Sequence, residues 1–185
     1  VALREDIKKV WDIACKDGEV YYLASLTGLS LPVLISGEKM LALSMPSSQS
    51  LVSCRMDMLS GGICVEGVLS DHRQIRCVLW DAEGKYMLFP KGMTYSAFCP
   101  GERGMHCAMN PVSDEDAGLI YRDGESLKMP YGYKCMGRSA MDFASGILSV
   151  GLSSSSGGKP ALWVDGQLRE LDVEGYISCV ASSPV

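Results

Sequence analysis

Short apolar runs, separated by turns that contain glycine, follow one another along most of the chain. Apolar and polar side chains alternate in many of these runs, and this period of two is typical of a β-strand with one buried face. The runs are shorter than an ordinary helix, and glycine and polar turn residues end each of them. The pattern therefore predicts an all-β fold with almost no helix.

A degenerate unit recurs four times along the chain. Its period is roughly 42 residues, which indicates a solenoid, a propeller or an array. In each copy, one turn glycine comes before an apolar run, and a second turn glycine comes after the next apolar run. An acidic residue usually stands before the second glycine, and such a pair between two apolar runs is a strong hairpin signal. The two glycines of the successive copies are Gly18 and Gly37, Gly62 and Gly84, Gly104 and Gly124, and Gly146 and Gly166.

Each copy contains about four predicted strands, which is the composition of one blade of a β-propeller. Such a repeat cannot bury its apolar surface alone, so neighbouring repeats have to pack against each other. A β-sandwich is the alternative, because it is also built from short strands separated by turns. A sandwich does not predict that one motif recurs, so the pattern favours a β-propeller-like fold of about four four-stranded antiparallel blades.

The length of 185 residues suits a single repeat domain over residues 1–185. We expect blades at about 9–45, 52–90, 96–130 and 139–172. Residues 1–5 resemble the tail of a blade and residues 176–185 resemble the beginning of another, so both are expected to belong to incomplete blades. We therefore expect a fragment of a larger propeller. The alternative is a small propeller whose terminal strands pair with one another or with a second copy, because unpaired edge strands associate readily.

The repeat resembles a group of bacterial propeller-like proteins, many of them exported and uncharacterised. The residues that carry the resemblance are Leu162–Gly166, which read Leu-Trp-Val-Asp-Gly, and the small residues and glycine near the end of Ile147–Leu152. The third copy has Tyr121 where the fourth has Trp163, and the first copy departs further. The resemblance implies the propeller fold and a secreted or cell-envelope location, with a cytoplasmic location as the alternative. It implies no catalytic residue.

The composition excludes several classes of protein. The formal charge is −5, and the lysines and arginines are scattered singly, which argues against nucleic-acid binding. No apolar stretch approaches the roughly 18 residues of a membrane-spanning helix, so no membrane span is predicted. Hydrophobic residues make up 47% of the chain, which is enough for a core.

The chain contains eight cysteines, and most of them lie inside apolar strand runs. A free cysteine in such a run behaves as a small hydrophobic residue, so we expect buried free thiols. Disulfides stay open as the alternative, since the number of cysteines is even. The Cys-x-x-Cys spacing typical of zinc sites is absent. No metal and no cofactor are predicted.

Candidate site residues come from the repeat itself. Asp12, Asp57 and Asp142 lie four to six residues before a turn glycine, and Arg103 directly precedes another. A ring of such acids around an axis would bind a cation or a basic peptide. The alternative is that these residues cap strands or face solvent. No catalytic residue is predicted, because no Gly-x-Ser-x-Gly elbow occurs, and the serine run Ser153–Gly158 is interpreted as a flexible loop.

These observations predict a non-enzymatic binding or scaffold module that presents blade-loop surfaces to a protein or glycan partner. The alternative is a propeller-type hydrolase or lyase that uses acids near the central axis. A glycosidase would need two carboxylates about 5–9.5 Å apart across a cleft. We expect the three repeated acids not to converge in this way.

Overall fold

The computed structural model describes residues 4–59, 62–71, 74–102, 104–113 and 116–181. These residues form 17 strands in four antiparallel sheets and contain no helix. The chain divides into two compact units, Val1–Lys91 and Gly92–Val185, with two sheets in each. The predictions of an all-β fold and of a repeated four-stranded arrangement are therefore confirmed.

The first unit holds two sheets whose strands follow in chain order. The first sheet consists of β1 (Ile7–Lys16), β2 (Glu19–Leu26), β3 (Pro32–Ser36) and β4 (Lys39–Ala42). The second sheet consists of β5 (Ser50–Leu59), β6 (Gly62–Ser70), β7 (Ile75–Trp80) and β8 (Tyr86–Leu88). Consecutive strands pair throughout, as short connections between alternating apolar runs require.

The second unit repeats this plan with one addition. The third sheet consists of β9 (Met93–Gly101), β10 (Gly104–Pro111), β11 (Leu119–Arg122) and β12 (Glu125–Lys128). The fourth consists of β13 (Tyr133–Lys134), β14 (Met141–Ala144), β15 (Ile147–Ser154), β16 (Ala161–Val164) and β17 (Gln167–Glu170). Both β13 and β14 pair with β15, so this sheet has five strands, of which β13 was not predicted.

The predicted Asp-Gly hairpins are present. Asp123 and Gly124 join β11 to β12 with φ angles of 50° and 94°, and Asp165 and Gly166 join β16 to β17 with 42° and 92°. Positive φ at both central residues is the type I′ turn, whose twist matches that of a two-residue hairpin. Aspartate tolerates this conformation better than most residues do, and glycine adopts it without steric cost.

The core of the first unit lies between its two sheets. It joins Leu23 of β2 and Leu43 after β4 to Val78 and Trp80 of β7. Trp80 is fully buried, and its indole N–H donates to the Ser44 carbonyl at 2.6 Å. The large ring therefore fills space between the sheets while its polar atom fastens the second sheet to the end of the first.

The second unit is built on the same principle. Its core joins Ile120 of β11 and Met129 to Leu148, Val150 and Trp163 of the fourth sheet. An ion pair between the Arg122 guanidinium, at the end of β11, and the Asp165 carboxylate in the β16–β17 turn adds a polar connection between the two sheets.

Strands of consecutive sheets also meet within each unit. β1 lies against β5 in the first unit, and β14 lies against β9 in the second. The Asp12 carboxylate on β1 accepts the backbone N–H of Met56 on β5 at 2.8 Å. A side chain therefore extends the hydrogen bonding of one sheet to the neighbouring sheet.

Residues 176–180, expected to begin a further blade, pack on the fourth sheet. Cys179 forms a parallel bridge with Ser139, and the Val180 N–H donates to the Ser139 carbonyl at 2.8 Å. A Cβ on Gly151 would lie 2.3 Å from Cγ2 of Ile177, so only glycine admits this contact. The blade bounds, the single repeat domain and the closure of a propeller ring stay predictions.

The contact between Gly67 and Trp80 provides a test of the first core. A Cβ on Gly67 would lie 2.7 Å from Cζ3 of Trp80, and both residues belong to the second sheet. We expect Gly67→Ala to lower the free energy of unfolding by about 1–3 kcal/mol, because a packed ring has to shift. Urea unfolding followed by far-ultraviolet circular dichroism measures this change.

The matched control is Gly67→Ala combined with Trp80→Phe, since the smaller ring leaves room for the added methyl group. The double variant should lose less stability than the sum of the two single losses, with a coupling of at least about 0.5 kcal/mol. Additive losses would contradict the steric explanation.

Candidate functional site

A wide groove opens on the second unit, beside the end of β15. Its volume is about 1250 Å³. We call it the serine groove, and it is lined by Lys134, Met136, Ser153–Lys159 and Asp172–Tyr176. These segments are distant in the sequence and are brought together because β13, the β15–β16 loop and the chain after β17 meet at one end of the fourth sheet.

The serine run begins inside a strand and continues into the β15–β16 loop. Ser153 and Ser154, which were expected to lie in the loop, belong to β15 and pair with Lys134 and Tyr133 of β13. The Ser155 backbone N–H and hydroxyl donate to the Gly132 carbonyl at 2.8 and 2.9 Å. Hydrogen bonds therefore connect the beginning of the loop to the segment that contains β13, and the flexibility of the rest of the loop stays a prediction.

Hydroxyl groups of the groove are also hydrogen-bonded to one another and to the backbone. The hydroxyl oxygens of Ser154 and Ser156 are 3.1 Å apart. Ser153 is buried, and its hydroxyl oxygen accepts the backbone N–H of Ile177 at 3.3 Å. One wall of the groove thus carries the hydrogen-bonded hydroxyls of Ser154 and Ser156, whereas the Ser153 hydroxyl is buried.

The charges of the groove balance. Lys159 Nζ lies 2.7 Å from Asp172 Oδ1, and both side chains are exposed. Lys134 and Glu174 add one further formal charge of each sign. The groove therefore offers polar groups of both kinds without a net charge that would select an ion.

Large side chains at the rim are open to solvent. Tyr176 is 71% exposed, and Met136 and Val173 are also exposed. A tyrosine ring offers an apolar face and a hydroxyl at its tip, so it can contact a ligand that has both kinds of surface.

The structure places the predicted acids outside this groove. Asp57 pairs with Cys64, and Asp142 pairs with Ser149. Each of these acids lies two residues before the last strand pair of its hairpin, so the two occupy equivalent positions in their sheets. Asp12 lies four residues before the last pair of its own hairpin. Asp12 and Asp57 belong to the first unit and Asp142 to the second, while Arg103 lies outside the described residues.

Asp12 is engaged in strand contacts. One of its oxygens accepts the Met56 N–H and the other accepts the Ile13 N–H, both at 2.8 Å. Burial raises the pKa of Asp57, Arg55 opposes this shift, and the nearby Asp12 adds to it. The charge of Asp12 therefore acts on Asp57, and the role of these two acids in binding a ligand stays a prediction.

His106 is the unusual buried polar residue of the second unit. Its side chain is 1% exposed, it pairs with Cys99 on β9, and its ring centroid lies 4.7 Å from that of Phe143 on β14. Neither ring nitrogen has a hydrogen-bond partner among the described residues. A Cβ on Gly101 would lie 2.1 Å from Nε2, so glycine makes room for the ring.

The charged groups near His106 do not compensate for its burial. Burial lowers its pKa, Asp123 and Glu102 oppose this shift, and Arg122 adds to it. Asp142, on the strand that carries Phe143, acts on the neighbouring Cys99. The imidazole is therefore held in its neutral form in the folded chain at neutral pH.

The prediction that most cysteines are buried is confirmed. All eight are free thiols, and the buried ones are Cys54, Cys64, Cys99, Cys107 and Cys135. Burial raises the pKa of Cys54 and of Cys99 to about 12. A thiol with so high a pKa is a poor nucleophile at neutral pH, so these cysteines act as core residues.

Within the described ranges, no group of three or more His, Cys, Asp or Glu side chains is placed to hold a metal ion. The described part of the chain also has no helix with the length and apolar character that crossing a bilayer requires.

No family model, no curated protein and no solved structure matches the chain. The description of function therefore depends on the residues themselves.

His106 predicts a loss of stability on acidification. The unfolded chain binds a proton at a pKa of about 6.5, while the folded chain binds it only at a lower pH. The contribution of neutral His106 to the free energy of unfolding is therefore fully present above a pH of about 6.5. As the pH falls below this value, the free energy of unfolding decreases by at most ~1.4 kcal/mol per pH unit for this one group. Urea unfolding at several pH values between pH 7.5 and 5 measures the slope.

The variant His106→Leu keeps a similar volume and should remove most of this slope. His72→Asn, which alters the other histidine of the chain, should leave the slope in place. An unchanged slope in His106→Leu would contradict the assignment to His106.

The thiols predict two classes of reactivity. In the native protein, the exposed Cys15 and Cys179 should react rapidly with a disulfide reagent, and the five buried thiols should react at least tenfold more slowly. In denaturant without reductant, all eight should react. A denatured count well below eight would show disulfides and contradict the structure.

Proposed function

We propose that this chain is a non-enzymatic binding or scaffold module that presents loop surfaces to a protein or glycan partner. The observation that carries the proposal is the serine groove. Its wall combines serines and glycines with an exposed tyrosine, and binding loops that recognise diverse partners have this composition. Tyrosine supplies contact area with few rotatable bonds, and serine supplies adaptable hydrogen bonds.

The hydrogen bonds of the β15–β16 loop support a binding role. Hydrogen bonds from Ser155 to Gly132, and between the hydroxyls of Ser154 and Ser156, hold the wall before any ligand arrives. A loop that is already ordered loses less conformational entropy on binding, so more of the contact energy appears as affinity.

We also propose that the four sheets are blades of a propeller. Three sheets are meanders of consecutive strands, and β14–β17 form the same meander in the fourth, to which β13 is added. Within each unit, one strand of each sheet meets a strand of the other: β1 meets β5, and β9 meets β14. The segment ending at Val180 runs beside Ser139, where the first strand of a following blade would lie. The resemblance to exported bacterial propeller proteins supports a location outside the cell or in its envelope.

The alternative function is a hydrolase or lyase that uses the acids of the first unit. Asp57, with its raised pKa beside Asp12, is the observation that favours it, since coupled carboxylates are frequent in active sites. The Asp12 oxygens, however, each accept a backbone N–H, and the one from Met56 connects β5 to β1. This structural engagement favours the binding module.

A comparison of two variants tests the proposal. The full chain is immobilised and exposed to libraries of peptides and of oligosaccharides, and affinities for the selected ligands are measured by biolayer interferometry. Ser156→Trp, which places an indole in the groove, should weaken binding at least tenfold. Asp57→Asn combined with Asp142→Asn should keep affinity within about tenfold, or roughly 1.4 kcal/mol.

The opposite result would favour the alternative. If the double variant loses a ligand-cleaving activity and Ser156→Trp retains it, the chain is an enzyme and the binding module is wrong. If no library member binds the wild-type chain, the proposal also fails.

A further inference from the structure

We infer that the ligand of the serine groove is a neutral oligosaccharide. The inference rests on the proposed binding function and adds the chemical class of the ligand. Four properties of the groove carry it: its hydroxyl wall, a donor beside an acceptor, an exposed aromatic ring, and a balanced charge.

The hydroxyl wall matches a ligand whose own polar groups are hydroxyls. A serine hydroxyl has one donor and two acceptor positions, so it can complement a sugar hydroxyl in either role. Between Ser154 and Ser156, one hydroxyl hydrogen forms their mutual bond, and the other can turn towards a ligand.

The ion pair at the rim matches two adjacent hydroxyls of one sugar ring. Lys159 Nζ donates hydrogen bonds and Asp172 Oδ1 accepts them, and the two atoms are 2.7 Å apart. Neighbouring sugar hydroxyls can accept from the first and donate to the second at the same time. Hydrogen bonds to charged groups are stronger than those between neutral groups, so this pair would orient the ring.

Tyr176 provides the apolar part of the contact. Its ring is 71% exposed at the edge of the groove. Each sugar ring has an apolar face made of C–H groups, and an aromatic ring beside polar groups can cover such a face.

The charge and the size of the groove suit a neutral ligand of several linked rings. The two lysines and the two acids balance, so an anion or a cation gains no net attraction. Pockets for single small molecules measure about 300–1,000 Å³, and this groove, at about 1250 Å³, is larger and fits several linked rings.

An extended peptide fits less well. Peptides that bind as an added strand need an unpaired strand edge. In the groove, the edge of β15 at Ser153 and Ser154 that faces β13 is already paired, so a peptide cannot add as a strand there.

Affinity electrophoresis tests the inference. The full chain is run in native gels that contain one neutral polysaccharide each: starch, xyloglucan, mixed-linkage β-glucan, galactomannan or arabinoxylan. At least one should retard the protein, and Tyr176→Ala or Asp172→Ala should weaken the derived affinity at least tenfold. Both side chains are exposed, so these variants should unfold at the same urea concentration as the wild type.

The matched controls are Tyr86→Ala and Glu83→Ala in the first unit. They remove an exposed tyrosine and an exposed ion pair with Lys85 that lie outside the groove, so they should leave retardation unchanged. Parallel gels that contain alginate or heparin test whether the protein binds anionic polysaccharides.

Each remaining outcome overturns the inference. These are no retardation by any neutral polysaccharide, stronger retardation by the anionic ones, or retardation unaffected by Tyr176→Ala and Asp172→Ala. If a peptide binds the wild type and Ser156→Trp weakens that binding, the binding function stands and the carbohydrate ligand is wrong. If neither class of ligand binds, both proposals fail together.

Discussion

The structure depends on the burial of sheet surfaces on both sides. In β15, every residue from Leu148 to Ser153 is buried, whereas a sheet with one wet face would show alternation. A four-stranded meander cannot provide that burial alone. In the second unit, residues of the third sheet share a core with the fourth, and Ile177 approaches the fourth sheet at Gly151. Each sheet therefore needs material on its surface that belongs to another part of the chain.

This requirement explains the side chains that connect sheets. Trp80 fills the first core and donates a hydrogen bond to the Ser44 carbonyl, and Asp12 accepts an N–H from the neighbouring sheet. Burial without such connections would leave backbone groups near the contact unsatisfied. Large rings and short polar side chains thus have complementary roles at the same contact.

The strands were predictable because their signals are local. Alternation and Asp-Gly turns, such as Asp165-Gly166, determine each hairpin within a few residues, and the structure confirms them. β13 was not predicted because it has only two residues, Tyr133 and Lys134, and an alternating pattern cannot be recognised in so short a strand. The serine groove was not predicted because no local pattern in the sequence indicates that Asp172–Tyr176 lies beside Ser153–Lys159. The repeated acids were a fair local signal, but spacing to a glycine does not give the register: Asp12 lies four residues before the last pair of its hairpin, whereas Asp57 and Asp142 each lie two residues before theirs.

The distribution of thiols gives the protein two natural attachment points for spectroscopic labels. Cys15 and Cys179 are the exposed cysteines, and they belong to different units. A donor and an acceptor dye coupled to these two sulfurs would report the distance between the units in solution by energy transfer, without any engineered cysteine. A dye on Cys179 alone would lie three residues from Tyr176, where its fluorescence can follow the filling of the groove.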